Sequence, residues 1–188
     1  IEREDVYVKF LTRNGKLTAG FGSPNPIGPE LQFGFSMGDR FDEPVLLIKT
    51  AWGGKSLFRD FRPPSAGLPD AEVLNSQLVK ERKRKPETTL NQVKASYGFF
   101  YREMIDEVEE TLANIGDFVP SYDAEVGYEL AGFVWFQGWN DMFDKEALTQ
   151  YEDNLVNLVS DVRTALGTED LPVIIGETGN MGEDAGDN

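Results

Sequence analysis

The chain has 188 residues, with 18 Lys and Arg against 33 Asp and Glu, so its formal charge of -15 excludes a nucleic-acid backbone as its main partner. It holds no cysteine and no histidine, which removes disulfides, thiolate or His-based metal sites, cysteine nucleophiles and a self-contained Ser-His pair. Apolar residues at 40% and charged residues at 27% suit a globular domain with a substantial core, and no run approaches the ~18 apolar residues of a membrane span.

In chain order, residues 7–12 alternate around apolar positions and predict a strand. Asn14 and Gly15 predict a hairpin turn, with residues 16–21 returning as the partner strand. Residues 22–29 are rich in Gly and Pro and read as a loop. A short helix is expected over 29–41, since Pro29 suits a first turn. Leu31, Phe35 and Gly38 share one of its faces, and Gly34 and Gly38 allow a neighbour to come close. Residues 44–50 (PVLLIKT) predict a buried parallel strand, followed by Trp52, Gly53 and Gly54. Pro63 and Pro64 block regular structure over 58–69. The basic run at 80–85 (KERKRK) reads as a solvated helix end or loop rather than an anion patch.

Residues 97–115 form an amphipathic pattern carried by Phe100, Met104, Val108, Leu112 and Ile115, stopped by Gly116. Residues 130–136 (LAGFVWF) predict a second buried strand, running into Gln137, Gly138, Trp139, Asn140 and Asp141. A further helix is expected over 148–166, with Tyr151, Leu155, Leu158, Val159, Val162 and Leu166 inward and Gly167 at its end. Residues 171–175 (LPVII) predict a third buried strand, followed by Gly176, Glu177, Thr178, Gly179 and Asn180. Alternating apolar strands and helices define an α/β fold with a doubly wound parallel sheet, in which ligands sit beyond the carboxyl ends of the strands. The whole chain reads as a single domain: a hairpin and loop over 1–27, a core over 28–180 and a frayed tail over 181–188.

The three post-strand loops therefore hold the candidate chemistry. Gly53 and Gly54 offer unobstructed backbone N–H groups that can stabilise an oxyanion; the plain reading is a tight turn. The Asn140 amide could donate to the same oxygen, with Gly138 leaving room for substrate and Asp141 bonding backbone N–H groups; the plain reading is a turn or helix cap. Carboxylates at Asp141, Asp144 and Glu177 could run glycoside hydrolysis, but acids are so abundant that coincidence is the better explanation. Ser36 falls within a predicted helix, and Ser56 reads as a turn hydroxyl. No dinucleotide or Walker pattern occurs.

Residues 48–57 (IKTAWGGKSL) and 134–142 (VWFQGWNDM) resemble the second and third conserved blocks of SGNH hydrolases, and more narrowly of the sialate O-acetylesterase type of carbohydrate esterase. Residues 61–65 and 176–180 add to the resemblance, which runs over 28–180. The resemblance implies a three-layer, flavodoxin-like core, incomplete at both ends, and a serine-based hydrolysis of acetyl esters on sugars. It makes Gly54, or its neighbour Gly53, the oxyanion glycine and Asn140 the oxyanion asparagine, with Gly138 in support. Trp52, Gln137, Trp139 and Asp141 become candidate substrate contacts. No metal or cofactor is implied, and an acetylated carbohydrate is the implied partner. The family's serine and histidine blocks match nothing here. They are expected in flanking segments before Ile1 and after Asn188, so the chain alone is expected to be inactive. A periplasmic or secreted location also follows from the resemblance. The alternative is an inactive carbohydrate-binding or structural α/β domain, with Trp52, Trp135, Trp139 and Phe143 as possible stacking surfaces.

Overall fold

A computed structural model describes residues 2–22 and 27–177. The expected frayed tail and the stretch Thr178 to Asn180 lie outside the described residues. The chain divides into two compact units, one made of residues 1–52 and 106–129, the other of 53–105 and 130–188.

The first unit is built on a three-stranded sheet of order β2-β1-β3. Strands β1 (Glu2–Phe10) and β2 (Arg13–Thr18) are antiparallel, and β3 (Val45–Lys49) runs parallel to β1. The hairpin turn is not at Asn14 and Gly15. Those residues pair with Lys9 and Val8, and the connection is Leu11 and Thr12, between the paired Phe10 and Arg13. Leu11 takes the left-handed backbone there, with φ 52°. Arg13 explains the register. Its guanidinium lies 4.7 Å from the centre of the Phe10 ring opposite and donates to the carbonyls of Gly20 and Gly22. That combination outweighs the turn preference of Asn-Gly.

Helix α1 (Pro29–Arg40) begins on Pro29 as expected. Its glycines are contact points. A Cβ on Gly34 would fall 2.5 Å from a methyl of Leu17, and one on Gly38 would fall 2.7 Å from a methyl of Val6. Val6, Val8, Phe10, Leu17 and Phe21 form the core on that side, with Leu31 and Phe35 of α1 packed against it. Side chains alternate across a strand, so Tyr7 points the other way and packs with Ile115 and Val119. Lys49 Nζ, over the Phe10 ring, pairs with the buried Glu30 at 2.7 Å and donates to the Phe21 carbonyl at 2.8 Å.

The second unit is richer in helix than the sequence suggests. Helix α2 (Ala71–Arg82) is capped by Asp70, whose side chain accepts from the Val73 N–H, and α3 (Leu90–Ser96) starts with a Thr89–Gln92 capping box. Neither was expected; α2 has a single buried residue, Leu74, so its apolar period is faint. The basic run at 80–85 closes α2 and continues as exposed residues.

The expected helix over 97–115 instead starts two residues later, as α4 (Phe99–Ala113), and Gly116 lies inside a following 3-10 turn, Ile115–Asp117. Gly98 sets the start. It has φ 67°, its N–H bonds the Arg59 carbonyl at 2.7 Å, and a Cβ on it would lie 2.6 Å from the Arg62 carbonyl oxygen. The helix expected over 148–166 is likewise two, α5 (Lys145–Thr149) and α6 (Tyr151–Ala165), broken at Gln150. Asp144 caps α5 with bonds from the Glu146 and Ala147 N–H groups, and Gly167 follows α6 with φ 64°, as expected of a residue just past a helix end.

Strands β4 (Phe133–Trp135) and β5 (Val173–Ile175) are parallel to each other and shorter than their apolar runs. Their expected burial on both faces is not found. Trp135 is buried, whereas Val134, Ile174 and Ile175 are exposed. Phe58, Leu74, Val93, Tyr97 and Ala147 make the core that joins α2, α3 and α5. The architecture is mixed α/β, with one mixed and one parallel sheet among the described residues.

Candidate functional site

Two segments of the second unit, the glycine turn at 53–54 and the turn at 137–141, come together. Gly54 adopts φ 71°, a backbone that side-chain-bearing residues rarely take. A Cβ built on it would lie 3.8 Å from Asn140 Nδ2. The Asn140 amide thus lies beside the one position of this turn where a side chain is both absent and conformationally disfavoured. Gly53 stands in open space. Asn140 precedes a short 3-10 turn (Asp141–Phe143) but its side chain does not cap it, so the plain reading as a helix cap is set aside. The amide is half-buried and donates to no other described residue.

Asp141 explains why the two turns meet. It is only 1% exposed. Its Oδ2 accepts from the Leu57 N–H at 2.9 Å and its Oδ1 from the Phe58 N–H at 2.8 Å. A carboxylate gripping two consecutive backbone N–H groups across more than eighty residues of sequence fixes both the separation and the orientation of the turns. Gln137 adds a second tie, with Nε2 donating to the Lys55 carbonyl at 2.9 Å and to Asp141 Oδ2 at 2.6 Å. Gly138 closes the turn by accepting from the Asp141 N–H at 3.1 Å.

Behind these lies Tyr151, the first residue of α6. Its hydroxyl donates to the Gln137 carbonyl at 2.6 Å and accepts from Trp135 Nε1 at 3.3 Å. Burial pushes the Tyr151 phenol up from its ordinary value, which keeps it a neutral donor through the physiological range. Phe61 packs edge-on to Trp135 with ring centres 5.3 Å apart.

These contacts sort the sequence-predicted residues. Gly54 and Asn140 are neighbours at an accessible rim. Asp141 and Gln137, expected among substrate contacts, instead spend their polar atoms on the protein itself and act as positioning residues. Trp139 is 54% exposed and meets the 70% exposed Phe143 edge-on at 5.6 Å, an aromatic pair flanking Asn140. Trp135 is core. Trp52 is half-buried at the end of the first unit. Ser56 is a turn hydroxyl, donating to Asp60 Oδ2 and accepting from the Arg59 N–H, both at 3.2 Å. Ser36 bonds back to the Gln32 carbonyl within α1. The carboxylates weighed for glycoside hydrolysis are committed to Leu57 and Phe58 at Asp141 and to capping α5 at Asp144, while Glu177 is exposed.

Tyr151 was foreseen only as an apolar packing residue. Its signal was available, because a buried tyrosine needs a partner for its hydroxyl. Arg62 carried a weaker signal inside residues 61–65. It is buried and donates to the carbonyls of Phe58, Ala66 and Gly67, holding the loop that follows the glycine turn.

An α/β fold of this kind has a counterpart among solved structures. The chain is similar to a protein of Arabidopsis thaliana solved by X-ray diffraction, with a TM-score of 0.60 and 17% identity over 97% of this chain and 60% of that one. It therefore spans about three-fifths of the length of that structure, and at this identity the likeness concerns the fold. By sequence the chain belongs to the carbohydrate esterase family described as sialic acid-specific acetylesterase, whose sequence model matches residues 14–187. No curated protein matches the chain.

Proposed function

We propose that this chain forms the oxyanion-binding part of a carbohydrate O-acetylesterase that cleaves acetyl esters on sugars by serine-based acyl transfer. Membership of a carbohydrate esterase family supports the reaction class. The observation that carries the reading is the uncommitted Asn140 amide beside Gly54. In ester hydrolysis the carbonyl oxygen gains negative charge as the nucleophile adds, and donors fixed in advance at that oxygen lower the barrier. The Asn140 Nδ2 and the Gly54 N–H are the two such donors here, with Gly53 and Gly138 keeping the approach open. Asp141, Gln137 and Tyr151 hold the pair rigid, which preorganisation requires. Trp139 and Phe143 offer their rings to the sugar. Under this reading the fold is the three-layer, doubly wound core of SGNH hydrolases.

Under this reading the base, and the attacking serine with it, come from outside these 188 residues: the sequence holds no histidine, and Ser56, the serine that follows the glycine turn, is committed to its turn. The test compares two proteins on a chromogenic acetyl ester: the 188-residue chain and a longer reading frame that adds a serine block and a histidine block. Turnover by the longer protein alone is expected. Turnover by the 188 residues that disappears in Asn140→Ala would contradict the division of labour. Sugar binding without turnover by either protein would favour an inactive carbohydrate-binding domain.

A further inference from the structure

Residues 78–95 hold six cations, Lys80, Arg82, Lys83, Arg84, Lys85 and Lys94, against two acids, Glu81 and Glu87, in a chain of net charge -15. Most cations elsewhere are engaged with the protein itself, as Arg3 is with Asp5 and Asp39, Lys9 with Glu107, Lys16 with Glu4 and Lys49 with Glu30. The side chains of Lys80, Lys83, Arg84 and Lys85 are exposed and make no hydrogen bond, ion pair or ring contact with a described residue. Glu81, the acid within the run, is already occupied. Hydrogen bonds from Arg59 and Gln77, at 3.0 and 2.9 Å, hold its carboxyl below the ordinary value, and Arg84 adds to this only through its field.

Their place on α2 explains why these cations are free. Leu74 is buried, and Val73 and Leu78 pack against the same core, so the helix turns Asn75, Ser76, Val79 and Lys80 to solvent. Val79 is 61% exposed, and Lys83, four residues on, shares its side of the helix. A helix end draws one or two cations to its last carbonyls through its dipole. Lys80 and Arg82, in the last turn, meet that need, and Arg82 Nε also donates to the Thr88 carbonyl at 2.9 Å. Lys83, Arg84 and Lys85 follow the helix and exceed it. The run stands outside both the cavity lined by Lys55, Arg59 and Phe100 and the groove lined by Leu155, Val156 and Val159.

We propose that the end of α2, through Lys80, Lys83, Arg84 and Lys85 with Val79 beside them, is a peripheral docking surface for an anionic lipid bilayer. Charge complementarity calls for an anionic partner, and the acidic remainder of the chain, repelled by the same surface, orients the molecule with this end toward it. Two features select a bilayer over a polyanion strand. Three of the four free cations are lysines, compact charges on flexible stems that suit a diffuse field and offer no bidentate fork. Val79 gives the cluster an exposed apolar side chain, which gains by entering the headgroup boundary and gains nothing from a soluble polyanion. The inference goes beyond the esterase reading and does not depend on it.

The test is co-sedimentation of the 188-residue chain with vesicles of phosphatidylcholine alone and of phosphatidylcholine with about 25% phosphatidylglycerol, at low and at high salt. At low salt the chain is expected to partition at least about tenfold more onto the anionic vesicles, and to lose that preference at high salt. Lys83→Gln combined with Lys85→Gln should weaken partitioning about 25-fold, at about fivefold per cation, and Val79→Ser about threefold. Lys145→Gln, which removes an exposed cation on α5, should leave it unchanged. Circular dichroism and urea midpoints would establish that each variant folds. Equal partitioning onto both vesicles, or as large a loss in Lys145→Gln as in the double variant, would overturn the inference. Unaltered binding by Val79→Ser, or capture by dextran sulfate without binding to either vesicle, would overturn the bilayer as the partner. The esterase reading is judged separately, by turnover of the longer protein.

Discussion

Each of the two units is ordered internally by a different means. Around the three-stranded sheet of the first, apolar side chains do the work: Val6, Val8 and Leu17 are fully buried, and α1 presses its glycines directly against them. Around the rim of the second, order comes from buried polar groups, with Asp141, Gln137, Tyr151 and Arg62 satisfying backbone atoms of loops that have no ladder of their own. Apolar packing tolerates some rearrangement. A buried carboxylate bonded to two particular N–H groups tolerates very little. The proposed two-donor site, which would need its groups held to a fraction of an ångström, is better served by the second device.

The largest expected effect is Asp141→Ala, which strands the Leu57 and Phe58 N–H groups in the interior. A loss of about 3–5 kcal/mol in urea unfolding is predicted, with Asp141→Asn nearly as severe because its amide can present a donor to a donor. In the first unit the matching loss requires an apolar truncation: Leu17→Ala should cost about 2–5 kcal/mol. If Asp141→Ala proved mild and Leu17→Ala severe, the contrast between the units would fail.

Tyr151→Phe should cost about 1–2 kcal/mol, from the lost bond to Gln137 and the stranded Trp135 indole N–H. Under the proposed function, acetyl-ester turnover by the longer protein should fall with it, as the rim loosens. The effect that is smallest near neutrality, and grows only in alkali, is in pH. Burial pushes the Tyr101 phenol up to about 12 from its ordinary value of 10.0. Its folded-state pKa is raised, so its contribution to stability is complete below pH 10 and is lost as pH rises toward 12. Ultraviolet titration should find this tyrosine ionising late, and Tyr101→Phe should flatten the alkaline fall in stability.

How much of this was legible beforehand follows the same division. Helix α1, strand β3, the end of α6 at Gly167 and the pairing of glycine turn with Asn140 could be read from apolar period and from glycines after strands. The hairpin could not be placed, because Arg13 sets its register through contacts with Phe10, Gly20 and Gly22 that no local pattern encodes. Helices α2 and α3 bury one residue each, Leu74 and Val93, and leave almost no periodic trace. Asp141 was visible as part of a motif, yet its role was not, since its partners Leu57 and Phe58 are remote in sequence. Short-range order is written in spacing; the polar ties that shape the site are long-range and become visible only in three dimensions.

The central claim is that Asn140 Nδ2 and the Gly54 N–H serve one developing oxyanion. The most direct measurement is steady-state hydrolysis of an acetyl ester by Asn140→Ala in the longer protein that carries the nucleophile and base. We predict that kcat falls by about 10²–10³, with KM and the urea midpoint nearly unchanged. An unaltered kcat, or a loss confined to KM, would contradict the account.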